Sequence, residues 1–194
     1  MIGFLRGLFV HKTPAMVVVD VNGVGYELQI SLNTWSHIQH LDKGLLYTYL
    51  HIREDAHILF GFAEPAEKEL FLHLIGVSGV GAATARMMLS SMKPEEITRA
   101  IAQGNTRQLE SIKGIGKKSA ERIVLELKDK FAKMRSLPNI ATVAYNTLEQ
   151  DALNALVTLG IARAAGEQAI QRVLKAEPNL TAVEDIIKKA LKSI

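Results

Sequence analysis

Two short glycine-bracketed turns carry the most specific chemistry in this chain. Leu74-Ile75-Gly76-Val77-Ser78-Gly79-Val80-Gly81-Ala82-Ala83-Thr84-Ala85 recurs as Leu109-Glu110-Ser111-Ile112-Lys113-Gly114-Ile115-Gly116-Lys117-Lys118-Ser119-Ala120, at a constant offset of 35 residues (109 minus 74). At that offset the leucine, two glycines and the last alanine are identical, and Val77/Ile112, Val80/Ile115 and Thr84/Ser119 are close substitutes. A repeat this regular marks a duplicated structural unit. Each copy reads as a helix, an apolar residue, any residue, glycine, an apolar residue, glycine and a new helix. Glycine lacks a Cβ and tolerates positive φ, so the backbone can turn tightly and approach a ligand closely. The first amides of the following helix have no intrahelical acceptor and lie at the positive end of the helix dipole, which suits a phosphate oxygen. Lys117 and Lys118 add positive charge beside the second turn, and Arg86 lies one helical turn beyond the first. The chemistry expected is phosphate binding without base readout, as on a nucleic-acid backbone.

Two better-known phosphate loops do not fit. A Walker A loop laid on Gly116-Lys117 needs glycine at 111 and Ser or Thr at 118, where Ser111 and Lys118 stand. A dinucleotide-binding G-x-G-x-x-G laid on Gly79 or Gly114 needs glycine at 84 or 119, where Thr84 and Ser119 stand, and neither turn follows a strand. ATP and dinucleotides are therefore not expected as ligands. A single Gly-x-Gly turn also serves plain helix–helix connections, but two copies with matched apolar spacing favour a ligand.

The elements that must position these turns follow from periodicity. Residues 1–62 read as β: Ile2 to Val10 and Met16 to Val21 are rich in β-branched and large apolar residues, and Asn22-Gly23 is a strong type I′ hairpin signal. Val24 to Ile30 continues as the partner strand. Ser31 to His40 reads as a short helix capped by Ser31 or Asn33, with Trp35 in its core-facing or capping part. Strands resume at Leu45 to Leu50 and His57 to Phe62. Five or six short strands and one small helix predict an oligonucleotide-binding (OB) barrel, with an SH3-like barrel as the alternative. Residues 63–135 switch to a helical period and hold the repeat, with Met87, Met88 and Met92 expected in the core. Residues 136–146 have no period and read as a flexible linker. Residues 147–194 read as three helices, broken at Gly160 and at Pro178-Asn179. The fold class expected is a multidomain β plus α chain: a barrel, an all-α tandem-hairpin domain and a small three-helix domain.

Charge supports a polyanion partner for the middle segment. Residues 1–62 carry 4 Lys/Arg against 5 Asp/Glu, residues 63–136 carry 13 against 9, and residues 137–194 carry 6 against 6. The overall charge of +3 is thus concentrated where the glycine turns lie. Cysteine is absent, so neither disulfides nor thiolate metal sites contribute. The six histidines show no metal-ligand spacing, and no metal or other cofactor is expected. No apolar run approaches the roughly 20 residues of a membrane span, and Arg6 interrupts the apolar start. The expectation is a soluble, cytoplasmic protein without a membrane partner.

The segments Val77-Ser78-Gly79-Val80-Gly81 and Ile112-Lys113-Gly114-Ile115-Gly116 resemble tandem helix-hairpin-helix motifs, which bind DNA without sequence specificity. With the barrel before them and the helical unit after, the whole chain resembles the RuvA family of bacterial proteins that bind Holliday junctions. The stretch from Gly114 to Arg122 is the closest match, and Asn22-Gly23, Arg53-Glu54-Asp55 and Leu59-Phe60-Gly61-Phe62 also fit. The resemblance implies a homotetramer, or an octamer of two such tetramers, that holds a four-way junction open for recombination and repair. It implies recruitment of the hexameric RuvB ATPase through the C-terminal domain, with the RuvC resolvase as a further partner and no ATPase site in this chain. It maps DNA contacts onto Gly79, Val80, Gly81, Gly114, Ile115 and Gly116, with Lys117 and Lys118 beside them. Relatives often carry lysine after the first turn, where Ala82-Ala83 stand here; the first grip is expected to rest on backbone amides, with Arg86 compensating.

Glu54 and Asp55, read from the residues alone, are solvated turn positions. The resemblance instead makes them an acidic pin near the strand crossover, where carboxylates repel phosphates and set specificity rather than catalyse. Other readings are a general duplex-binding accessory protein, a helix-hairpin-helix glycosylase with Asp129 as its acid, a metal-dependent nuclease and a protein-binding adaptor. In the C-terminal unit Leu153, Leu156, Val157, Ile161, Ile170, Val173, Leu174, Ile186, Ile187 and Leu191 exceed a narrow seam, so some are expected to face a partner.

Overall fold

A computed structural model describes residues 1–135, 148–177, 180 and 182–193, with side chains to Phe131 in the first stretch. The linker expected over 136–146 and the break expected at Pro178-Asn179 lie outside the described residues. The chain divides into two compact units, Met1–Pro138 and Asn139–Ile194.

The first unit begins with five strands: β1 (Phe4–Thr13), β2 (Met16–Val21), β3 (Val24–Ile30), β4 (Lys43–Ile52) and β5 (His57–Phe62). They close into a barrel in the order β1-β2-β3-β5-β4, with β3 and β5 parallel and the other pairs antiparallel. This closed arrangement is the OB-type barrel that the strand pattern predicts. Alternation sets its interior: Leu5, Phe9, Val17, Val19, Leu28, Ile30, Leu46 and Leu59 point in and are buried. Asn22 (φ 53°) and Gly23 (φ 88°) form the expected turn between β2 and β3, and Asp20 Oδ1 accepts from the Gly23 amide at 2.7 Å. Gly7 serves close approach: a Cβ there would lie 2.0 Å from the Asp20 carbonyl oxygen across the strand pair.

Helix α1 (Leu32–Ile38) lies between β3 and β4. Ser31 is its cap, its hydroxyl accepting from the Thr34 amide at 3.0 Å, which decides between the two expected caps. Five helices follow the barrel: α2 (Pro65–Ile75), α3 (Ala82–Ser91), α4 (Pro94–Gln103), α5 (Thr106–Glu110) and α6 (Lys117–Arg135). The barrel is joined to them by packing as well as by chain. Phe60 and Phe62 of β5 meet Phe71 of α2 at ring-centroid distances of 5.1 and 5.0 Å, and Tyr49 of β4 meets it at 5.6 Å. Glu67 of α2 is fully buried. It accepts from the Ser31 hydroxyl and, at 2.7 Å, from the Thr34 hydroxyl, whose oxygen also accepts from the Ala63 amide at 3.1 Å. A buried carboxylate is tolerated because each of its oxygens has a donor.

The second unit contains α7 (Leu148–Thr158), α8 (Arg163–Ala176) and α9 (Val183–Lys192) around a core of Ala152, Leu153, Leu156, Ala169, Ile170, Val173, Ile186 and Ala190. Gly160 (φ 90°) ends α7, and the Ile161 amide reaches back to the Leu156 carbonyl at 3.0 Å. Ile161, Leu174 and Ile187 are partly buried, whereas Leu148, Val157, Leu159 and Leu191 are exposed.

Candidate nucleic-acid interface

The sequence repeat is a structural repeat down to its hydrogen bonds. In the first copy the Val77 amide donates to the Leu74 carbonyl at 3.1 Å, Val80 to Val77 at 3.0 Å and Ala85 to Gly81 at 2.9 Å. In the second copy Ile112 donates to Leu109 at 3.1 Å, Ile115 to Ile112 at 3.0 Å and Ala120 to Gly116 at 3.0 Å. Each turn therefore joins two helices, α2 to α3 and α5 to α6, through the same path.

Apolar side chains anchor both turns from below. Val77, Val80, Ile112 and Ile115 are all buried in the core shared with Leu74, Leu109, Ala85 and Ala120. Val80 and Ile115 thus present only main chain outward, and any contact they make with a ligand is through backbone. Their burial fixes the turn, so the amides above them are preorganised.

The two glycines of each turn do different work. Gly79 (φ 88°) and Gly114 (φ 91°) occupy the left-handed region, where a side chain is strained. Gly81 is extended (φ −81°, ψ 167°), and Gly116 is not among the positive-φ glycines. A Cβ at Gly81 or Gly116 would meet nothing within 4 Å. Neither backbone conformation nor internal packing requires glycine at these two positions. A Cβ at either position would project into open space beside the start of α3 or α6. Helix α3 has no side-chain cap, so its leading amides are not covered by a neighbouring hydroxyl or carboxylate.

Charge distinguishes the copies. Lys117 and Lys118 are exposed at the start of α6, and Lys113, also exposed, sits at the tip of the second turn where the first has Ser78. Lys113 was not among the expected contacts; its signal is a basic residue at the variable position of one copy only. Arg86, one turn into α3, also makes a contact within the fold. Its Nη1 donates to the Ala15 carbonyl at 3.2 Å, tying α3 to the β1–β2 turn, and burial holds its pKa below the ordinary guanidinium value. This bond ties the helix to the barrel through one guanidinium nitrogen. Met87 departs from the expected core placement: it is 44% exposed while Met88 is fully buried, because adjacent helix positions face about 100° apart.

Glu54 and Asp55 are the central residues of the β4–β5 turn, which the Arg53 amide closes by donating to the Ala56 carbonyl at 2.8 Å. Both acids are exposed and make no hydrogen bond or ion pair among the described residues. Among the described residues no group of three or more His, Asp or Glu side chains could hold a metal, and no helix is long and apolar enough to cross a membrane.

Comparison with known proteins covers the chain from end to end. A family model described as RuvA N terminal domain matches residues 1–61, a SAM-like helix-hairpin-helix tandem matches 71–129, and a RuvA C-terminal domain matches 147–194. The Holliday junction branch migration complex subunit RuvA of Cytophaga hutchinsonii is 45% identical over 197 residues, covering 99% of each chain. The proteins of the same name from Christiangramia forsetii and Flavobacterium psychrophilum are each 45% identical over 194 residues, covering 100% of both chains.

Proposed function

Since this chain belongs to the RuvA family, we propose that it binds four-way DNA junctions by structure rather than sequence, as the DNA-binding subunit of a branch migration complex. The observation that carries this reading is the pair of congruent turns whose second glycines, Gly81 and Gly116, the fold itself does not need. Open amides over a rigid turn fit a phosphate backbone, and two such turns in one rigid unit fit two positions along a duplex arm. The residues proposed to hold DNA are Gly79, Val80 and Gly81 through main chain, Gly114, Ile115 and Gly116 likewise, and Lys117, Lys118 and Arg86 through charge, with Lys113 added. Glu54 and Asp55 are proposed as an acidic pin: their carboxylates repel backbone phosphates and disfavour an uninterrupted duplex at the centre of the complex.

The assembly proposed is a homotetramer, one subunit for each arm. Phe4, Leu8 and Val10 along β1 supply apolar surface for it, each more than half exposed, and Leu125 of α6, 83% exposed, is a surface by which two tetramers can pair. The chain hydrolyses no ATP in this reading. Its second unit docks the RuvB motor through Val157, Leu159 and Leu191, tethered by residues 136–146, and RuvC acts on the same junction. The protein works in the cytoplasm.

The test is competition of labelled four-way junction by excess unlabelled duplex of matched length, using wild type, Gly81→Ala/Gly116→Ala and Glu54→Gln/Asp55→Asn. Wild type should keep its junction under excess duplex. The glycine variant should remain folded and lose affinity for both DNAs, and the acid variant should gain affinity for duplex. A glycine variant that binds as tightly as wild type would remove the basis of the reading.

A further inference from the structure

The strand ladder between β4 and β5 continues to the foot of the acidic turn. Its last pair is Ile52 with His57, and the four-residue turn Arg53 to Ala56 lies directly beyond. Along β4, Leu46 and Thr48 are buried and Leu50 packs on the barrel core, so the two-residue period of a strand puts Ile52 on that same face. At this point no core is left to cover it, and Ile52 is 64% exposed. His57, its cross-strand partner, shares the face and is exposed.

A lone exposed isoleucine says little by itself. Here its place is specific: it occupies the last rung of a paired ladder, beside an imidazole and next to a turn whose two carboxylates have no partner among the described residues. Carboxylates repel a phosphate backbone, so the part of DNA that can settle against this hairpin is a base. An aliphatic side chain and an imidazole ring both cover the apolar face of a base, and such contacts are indifferent to base identity. That indifference is what movement of a branch point through arbitrary sequence requires.

Resting on the junction reading above, we infer that Ile52 and His57 form a platform against which a base at the strand-exchange point rests when its pair opens. The carboxylates keep backbone away and the platform receives the base. Ile52 and His57 are thus positioning residues for the opened pair.

The experiment uses the full chain and a four-way junction carrying 2-aminopurine at the crossover, whose emission rises when the base leaves its stack. Ile52→Thr keeps a β-branched strand residue, His57→Ala removes the ring and His57→Phe keeps an aromatic face; thermal melts confirm that each variant folds. Wild type should raise the emission on binding. Ile52→Thr and His57→Ala should each lose about half of that rise or more, and His57→Phe should retain it, while junction affinity by gel shift stays within about twofold because the glycine turns hold the arms. Full retention of the rise in Ile52→Thr and His57→Ala, or no rise with a wild type that binds the junction, overturns the platform alone. Failure of wild type to prefer the junction overturns the reading on which it rests.

Discussion

The two glycine turns differ in charge, and that difference is measurable as salt dependence. Lys117 and Lys118 are exposed and make no hydrogen bond or ion pair among the described residues, so Lys117→Gln/Lys118→Gln should leave stability within about 0.5 kcal/mol of wild type. If each lysine neutralises one phosphate, each contributes about 0.9 to the slope of log affinity against log salt. Losing both should flatten the slope by about 1.8 for each engaged copy of the second turn. Between roughly 50 and 200 mM salt, a fourfold change, wild-type affinity should therefore fall about 12-fold further than that of the variant, per engaged turn. The first turn offers amides without lysine, so Gly81→Ala should lower affinity at every salt concentration with the slope unchanged. The assay is a salt titration of junction binding by fluorescence anisotropy. An unchanged slope in the double lysine variant would mean that these lysines do not face phosphates. A flattened slope in Gly81→Ala would refute the assignment of the first turn to amides.

The glycines themselves should separate by stability: Gly79→Ala places a side chain at φ 88° and should cost about 1–2 kcal/mol, whereas Gly81→Ala should cost less than about 1 kcal/mol, read by denaturant melts. Glu67→Gln should cost about 1–3 kcal/mol, because it replaces one of two acceptor oxygens facing the Ser31 and Thr34 hydroxyls, and an unchanged melting midpoint would show that this buried acid does not join barrel to helices. His73 titrates with a sign opposite to the usual histidine ion pair. Its pKa is held below 6.5 by burial and then by Lys130, whose ammonium donates to Nδ1 at 3.1 Å, against a smaller opposing pull from Glu69. The unfolded chain therefore binds the proton more readily, so stability is complete above about pH 6.5 and declines as pH falls below it toward the lowered folded value. Thermal melts from pH 7.5 to 5.5 should show this decline in wild type and a smaller one in His73→Gln; equal declines would exclude His73 as its source.

Much of the geometry of the two turns is legible in the amino-acid sequence. The repeat announces itself because duplication keeps both the spacing of the buried residues and the glycines between them. Asn22-Gly23 is legible because positive φ at two adjacent positions leaves few residue choices. What stayed hidden depends on distant neighbours. Nothing local says that Arg86 meets the Ala15 carbonyl, 71 positions earlier in the chain, nor that Met87 faces outward while Met88 fills the core. Glu67 looks like any helix-initiating acid until α1 places two hydroxyls over it.

The amino-acid sequence by itself determined the order of elements, the duplicated turn and the uneven charge, because each rests on local backbone preference, periodicity or composition. Only the tertiary structure decided which glycines the fold requires. Gly79 and Gly114 are needed for their positive φ, while Gly81 and Gly116 are left without an internal reason, a distinction that appears only when backbone angles and empty space are both known. It also decided between the two barrel types, since the parallel pairing of β3 with β5 joins strands separated by α1 and β4. Alternation tells a strand which face to bury; only packing tells it which strand to meet.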